Sequence, residues 1–202
     1  MRVGILGGTF DPIHLGHLAA AQAAIECAEL DRLVLVPSGS PPHRRPAVAE
    51  AERRLEMVRL AIGDDPSFEV SDIETRRTGP SFTSDTLREL KRLRPGDELF
   101  LVLGWDAARM FGTWHEPDEV RRLANVVVVS RPRSGAPDES SLRAAGLDPA
   151  QTIVCLRPTP DISGSALRRA IAHGEPISEL PEAVERYIAK NRLYGDNRDI
   201  GC

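Results

Sequence analysis

The sequence predicts an α/β fold: one doubly wound parallel sheet flanked by helices, in a single domain over residues 1–194, with a polar tail at 195–202. Three observations predict it. Short β-branched apolar runs alternate with longer stretches of helical periodicity, the pattern of repeated β-α-β units. The run Asn125-Val126-Val127-Val128-Val129-Ser130 is continuously apolar, which fits a strand covered on both faces. The length, 202 residues, allows one full core and argues against a second.

The elements follow in order. Residues 2–6 form a buried strand that ends at Gly7-Gly8. Residues 15–29 form a helix with Leu18, Ala21, Ile25 and Ala28 at helical spacing. Residues 33–36 are a second buried strand, stopped by Pro37, and residues 38–48 are a Pro-rich basic loop. A helix over 49–62 places Leu55, Val58 and Ile62 on one face. A short strand at 68–70 precedes a helix at 84–93 with Leu87, Leu90 and Leu93 inward. Strands at 99–103, 125–130 and 152–156 and helices at 165–172 and 182–191 complete the pattern. Residues 131–150, rich in Pro, Gly and Ser, read as an irregular connection rather than a domain boundary.

Composition narrows the function classes. Hydrophobic residues make up 41% and charged residues 28%, as in ordinary globular domains. The net charge of −4 argues against a long nucleic acid partner, which needs a basic surface; a small phosphate needs only a local cationic pocket. The three cysteines are odd in number, widely spaced and form no CxxC pair. They predict neither a disulfide framework nor a zinc site, and Cys27 and Cys155 read as reduced core thiols. No run approaches the ~20 apolar residues of a membrane span, and no secretory signal pattern is visible, so the expectation is a cytoplasmic protein with no membrane partner.

The informative stretch is Gly7-Gly8-Thr9-Phe10-Asp11-Pro12-Ile13-His14-Leu15-Gly16-His17, which leaves the first strand and opens the first helix. Ligands of such sheets sit at the carboxyl ends of the strands. Adjacent glycines let a phosphate approach the backbone, Thr9 adds a hydroxyl, and the helix N-terminus attracts anions. His14 and His17, three apart, share a face if both lie on the helix. Gly16 leaves room beside them for a planar group such as a purine. Imidazoles can donate to phosphate oxygens; the alternative is a strand-turn-helix with two exposed histidines. A metal site is the weaker reading, since no carboxylate or cysteine completes the His pair. The stretch is neither a Walker A loop nor a GxGxxG fingerprint.

This stretch closely resembles the first motif of the nucleotidyltransferase superfamily with signature (H/T)xGH, and also the corresponding motif of class I aminoacyl-tRNA synthetases. The resemblance to the bacterial nicotinate-nucleotide adenylyltransferases is closer and extends across nearly the whole chain. Ile162-Ser163-Gly164-Ser165-Ala166-Leu167-Arg168 resembles the family's ISSTxIR, which holds the ATP phosphates; Gly164, Ser165 and Leu167 depart from it. Ser163 can also cap the helix that starts there. Pro41-Pro42-His43-Arg44 resembles PPHK, with Arg44 for Lys. Pro80-Ser81-Phe82-Thr83-Ser84-Asp85-Thr86-Leu87 resembles PSYTxDTL, whose helix start cradles the nicotinate carboxylate through N–H groups near Thr86; Ser84 or Thr83 would cap that helix. Gly104-Trp105-Asp106 resembles GxD, and Trp114 matches an aromatic position that packs on the pyridine ring. Arg131-Pro132 and the segment 184–194 match positions read as structural.

The resemblance implies a Rossmann-like fold and adenylyl transfer from ATP to nicotinate mononucleotide, giving nicotinate adenine dinucleotide and pyrophosphate. His14, His17, Arg44 and Arg168 would be the catalytic residues. Gly7, Gly8, Thr9, Phe10, His14, His17, Gly104, Asp106, Ile162, Ser163, Ser165 and Arg168 would bind ATP. Gly8, Thr9, Arg44, Phe82, Thr83, Thr86 and Trp114 would bind the mononucleotide. Mg²⁺ would be held mainly by substrate phosphates, with no protein side-chain ligand. Alternatives are the same transfer to nicotinamide mononucleotide or another phosphate acceptor, or a non-catalytic nucleotide sensor. The short acidic chain and the lack of a KMSKS-like loop argue against a synthetase. Oligomeric state stays open, a homo-oligomer included.

Overall fold

The computed structural model describes residues 1–40, 47–130 and 137–195. Six strands carry the architecture: β1 (Arg2–Gly8), β2 (Arg32–Pro37), β3 (Phe68–Val70), β4 (Glu98–Gly104), β5 (Asn125–Val129) and β6 (Thr152–Cys155). They form one sheet in the order β3-β2-β1-β4-β5-β6, and every pairing is parallel. The helices are α1 (Leu15–Cys27), α2 (Ala51–Ile62), α3 (Thr83–Leu93), α4 (Trp105–Ala108), α5 (Pro117–Leu123), α6 (Glu139–Ala144), α7 (Gly164–His173) and α8 (Glu182–Asn191).

Strand alternation divides the apolar side chains between two cores. Leu6, Leu33, Leu35, Phe100, Val102, Val127 and Val129 face a layer that includes Ala21 and Ala24 of α1, Met57 and Val58 of α2, Leu167 of α7 and Ile188 of α8. Val3, Ile5, Val34, Val36, Leu101, Leu103, Val126 and Val128 face Leu87 and Leu90 of α3, Val120 of α5 and Leu142 of α6. The sheet is therefore covered on both faces, as the valine run at 125–130 predicts. Strand order reverses between β1 and β4, so the crevice at their carboxyl ends is where a ligand is expected.

Several expectations need correction. The connection over 131–150 is not wholly irregular: it contains α6 and a 3₁₀ turn at Pro149–Gln151. Residues 105–123, which show no clear periodicity in the sequence, fold into α4, a 3₁₀ turn at Phe111–Thr113, and α5. These helices have only four to seven residues, too few to display a period, and α6 buries a single side chain, Leu142. Cys27 and Cys155 are not free thiols: a disulfide joins them across a sequence separation of 128. Spacing hides this pair because packing of α1 against β6, not local sequence, brings the residues together. Among the described residues, no helix is long and apolar enough to cross a membrane. The tail from residue 196 and Arg131-Pro132 lie outside the described residues.

Candidate active site

The site begins where β1 ends. A Cβ at Gly8 would come within 2.9 Å of the Phe10 ring, so Gly8 is needed for that ring to fold back over the turn. Phe10 is buried at φ 49°, in the left-handed region, and meets His17 edge-on with ring centres 5.0 Å apart. Cβ atoms at Gly7 and Gly104 would meet nothing within 4 Å, so β1 and β4 both end beside open space.

His14 does not share a helical face with His17, because it is the N-cap of α1 and its backbone is extended. The two rings still meet, stacked with centres 3.6 Å apart. The His14 backbone N–H donates to His17 Nδ1 at 3.3 Å. His17 Nδ1 is therefore an acceptor, so in the neutral ring the proton is on Nε2. The room at Gly16 is taken: a Cβ there would lie 3.1 Å from His14 Nδ1 and 3.2 Å from the Pro160 carbonyl oxygen. A glycine at 16 thus admits the imidazole and the segment before α7 at this distance.

Behind the turn lies a buried polar lattice. The Asp11 carboxylate accepts from the N–H groups of Val48 at 2.7 Å and Ala49 at 3.1 Å, and from the Tyr194 hydroxyl at 2.7 Å. Arg54, only 1% exposed, donates to the carbonyls of Thr9 at 2.7 Å, Ala49 at 3.0 Å and Gly39 at 3.4 Å. Burial lowers the Arg54 pKa, opposed by the charge of Asp11. Burial, then Asp11, raises the Tyr194 pKa, so that its hydroxyl stays neutral and donates to the Asp11 side chain. Arg168 Nη1 donates to the Asp11 carbonyl at 2.6 Å and lies 3.7 Å from the Asp11 carboxylate. Its Nε has no hydrogen-bond partner among the described residues. Ser163 caps α7 as expected, accepting from the Ala166 N–H, and its hydroxyl lies 2.9 Å from that of Ser165.

On the other side of β1 and β4, a cavity of about 380 Å³ opens between the sheet and α3. Ile5, Val36, Leu101 and Leu103 form its apolar floor, and Phe82, Thr83, Thr86, Met110, Trp114 and His115 are among its walls. The Phe82 and His115 rings stack with centres 4.2 Å apart. Phe82 is the N-cap of α3, with no side-chain cap, so neither Ser84 nor Thr83 caps the helix. The Thr86 N–H is engaged with the Phe82 carbonyl at 3.2 Å. The donors that helix geometry leaves over at this end are consequently those of the first turn, Thr83, Ser84 and Asp85.

The structure brings Gly7, Gly8, Thr9, Phe82, Thr83, Thr86, Asp106 and Trp114 into the lining of one cavity. His14, His17, Ser163 and Arg168 gather on the opposite flank, around Asp11 and the start of α7. Gly104 marks the end of β4, and Ile162 enters α7. Asp106 is paired with Arg109 at 3.2 Å, both well exposed. Arg44 lies outside the described residues. Sequence reasoning missed Arg54, Glu74, Met110, His115 and Tyr194. Arg54 sits beside Arg53 in a charged helix and looks like a surface residue, and Tyr194 ends a segment read as merely structural. Among the described residues, no cluster of three or more His, Cys, Asp or Glu could hold a metal ion.

A strand-glycine-histidine turn at the switch point of a parallel sheet, facing a capped helix with an inward arginine, defines a nucleotidyltransferase site. Accordingly, the cytidylyltransferase-like family model matches residues 5–170. A Geobacter metallireducens protein named "Probable nicotinate-nucleotide adenylyltransferase" is 42% identical, covering 98% of this chain and all of its own. One of the same name from Thermus thermophilus is 46% identical, covering 96% of this chain and all of its own. The chain belongs to the nicotinate-nucleotide adenylyltransferase family. The fold also matches the Plasmodium falciparum nicotinic acid mononucleotide adenylyltransferase complexed with NaAD, at a TM-score of 0.80 and 21% identity over 96% of this chain and 97% of that one.

Proposed function

We propose that this enzyme transfers the adenylyl group of ATP to nicotinate mononucleotide, releasing pyrophosphate and forming nicotinate adenine dinucleotide, a step of NAD biosynthesis, in the cytoplasm. The observation that carries the reading is the crevice itself. Its His14–His17 flank suits a polyphosphate, and its other flank offers an apolar cavity of a size that fits a pyridine nucleoside.

The acceptor's phosphate oxygen attacks the α-phosphorus of ATP in line. The bond to the bridging oxygen breaks, and pyrophosphate leaves with its electron pair. The nucleophile is already an anion, so no enzymatic base and no covalent intermediate are needed. The chain contributes positioning and charge stabilisation. His17 Nε2 donates at the α-phosphate, with His14 stacked behind it, while Arg168 and Arg44 stabilise the departing pyrophosphate. Gly7, Gly8, Thr9 and Phe10 shape the turn that ATP crosses. Gly104, Asp106, Ile162, Ser163 and Ser165 complete its site. Gly8, Thr9, Arg44, Phe82, Thr83, Thr86 and Trp114 hold the mononucleotide, the first turn of α3 facing its carboxylate. Mg²⁺ would be held mainly by the substrate phosphates and would supply neutralisation of their charge.

The test is pyrophosphate release from ATP and Mg²⁺ with nicotinate or nicotinamide mononucleotide. Release mainly with the acid is expected. Release mainly with the amide would overturn the acceptor, and release with neither would overturn the reaction.

A further inference from the structure

Glu74 is 7% exposed, lies on no regular element, and lines the acceptor cavity. It lies between two walls of that cavity. On one side Thr86 of α3 donates its hydroxyl to Glu74 Oε1 at 2.7 Å, and Arg77 donates to the same Thr86 oxygen at 3.2 Å. On the other side Ser81 pulls the pKa of the Glu74 carboxyl down against its burial. The Ser81 oxygen in turn accepts from the N–H groups of Gly39 at 3.1 Å and Ser40 at 3.2 Å, on the segment leaving β2. The backbone follows the same path. Ser81 N–H donates to the Ser40 carbonyl at 2.9 Å, and a Cβ at Gly39 would fall 2.3 Å from the Glu74 carbonyl oxygen.

We propose that Glu74 is the positioning residue of the acceptor site: through Ser81 and Thr86 it holds the segment after β2 and the start of α3 at the separation the acceptor ring requires. The inference rests on the adenylyl-transfer reading for the identity of the acceptor. Three features set Glu74 apart from an incidental core residue. A buried carboxyl is costly unless its oxygens are satisfied, and here its hydrogen-bond donor Thr86 is itself a cavity-lining residue, as is Ser81, which also acts on its pKa. Arg77, which bears on Thr86, is itself braced by Glu89 at 3.0 Å, so the hydroxyl is held from two directions. The Ser38 hydroxyl in the same lining is buried and has no partner among the described residues, which leaves a polar atom for a bound ligand to meet. The reacting phosphates lie on the opposite flank, so disturbing Glu74 loosens acceptor binding and spares ATP.

The test compares wild type with Glu74→Gln, which keeps the shape, and Thr86→Val, which removes the hydroxyl. Acceptor binding is read twice: as the KM for nicotinate mononucleotide, and as its Kd from quenching of tryptophan fluorescence, since Trp114 lines the cavity. E74Q should raise both on the order of 10-fold, the scale of disturbing one buried hydrogen bond. The KM for ATP should stay within about 2-fold, below the effect of one hydrogen bond. The losses of E74Q and T86V should not add in the double variant, because they break one connection. Unchanged acceptor constants in E74Q, equal rises for ATP and acceptor, or strictly additive losses would each overturn the proposal. If wild type binds the mononucleotide without turning it over, the reaction assignment fails and the fluorescence comparison still decides Glu74.

Discussion

On the α1–α7 flank of the crevice, Asp11, Arg54 and Tyr194 bond to one another or to backbone through their polar side-chain atoms, and Arg168 joins them through Nη1. On the α3 flank, aliphatic and aromatic walls surround an open cavity, and Glu74 is the one buried acid among the lining residues described. On the proposed reading, the difference follows what each side would have to do. Phosphate chemistry needs donors fixed before the charge develops, and a lattice anchored on carbonyls does not reorganise. A ring needs a dry slot with a few polar markers. The two plans meet at Gly39, whose carbonyl accepts from Arg54 and whose N–H donates to Ser81.

The comparison breaks most readily at Arg54. Arg54→Met would strip the Thr9, Ala49 and Gly39 carbonyls of their donor and leave buried Asp11 with less compensating charge, at about 3–5 kcal/mol. Urea unfolding measures this, and a loss under about 1 kcal/mol would show that the lattice is not the rigid side. Next in size is His17→Ala, expected to lower turnover by ~10²-fold with little change in acceptor KM. Near-wild-type turnover would remove His17 from the transition state.

A smaller effect is expected at Tyr194→Phe, about 1–2 kcal/mol for one hydrogen bond to a carboxylate. Its signature is pH-dependent. The raised folded pKa means that the native state keeps the proton. The stabilisation is full below the unfolded tyrosine value near ~10 and is lost as pH rises beyond it. The alkaline slope of stability should flatten in the variant; an unchanged slope would show that Tyr194 titrates normally. Smallest is the acid response of Glu74, whose pKa burial raises against the pull of Thr86, Ser81 and Arg77. Its contribution is full below the unfolded value of about 4.3 and is lost as pH rises through the folded value. The stability of wild type relative to E74Q should therefore fall from pH 4 to 7. A rise would mean that the carboxyl is held ionised and that the α3 flank is more polar than its walls suggest.

Much of the donor side is legible in the chain. Gly7, Gly8, His14, His17 and Arg168 belong to compact segments whose turn and cap chemistry is local, and the Ser163 cap is found where the sequence puts it. The acceptor side is less so. Thr83, Thr86 and Trp114 are found in the cavity, but their partners Glu74, Met110 and His115 come from segments without periodicity. The cap expected at Ser84 or Thr83 fails because the chain enters α3 with Phe82 as its N-cap.

By itself the sequence determined the alternation of strands and helices, the coverage of the sheet on both faces and the glycine-histidine turn, because each is written in periods of two or 3.6 residues or in adjacent residues. Tertiary structure alone decided that Arg54 is buried rather than solvated, that Tyr194 closes on Asp11 across 183 residues, that Cys27 meets Cys155, and that Glu74 stands between Ser81 and Thr86. A charged or polar side chain has no local signal of burial. Its fate depends on whether distant backbone and side-chain groups satisfy it, and only the packed fold brings those groups within reach.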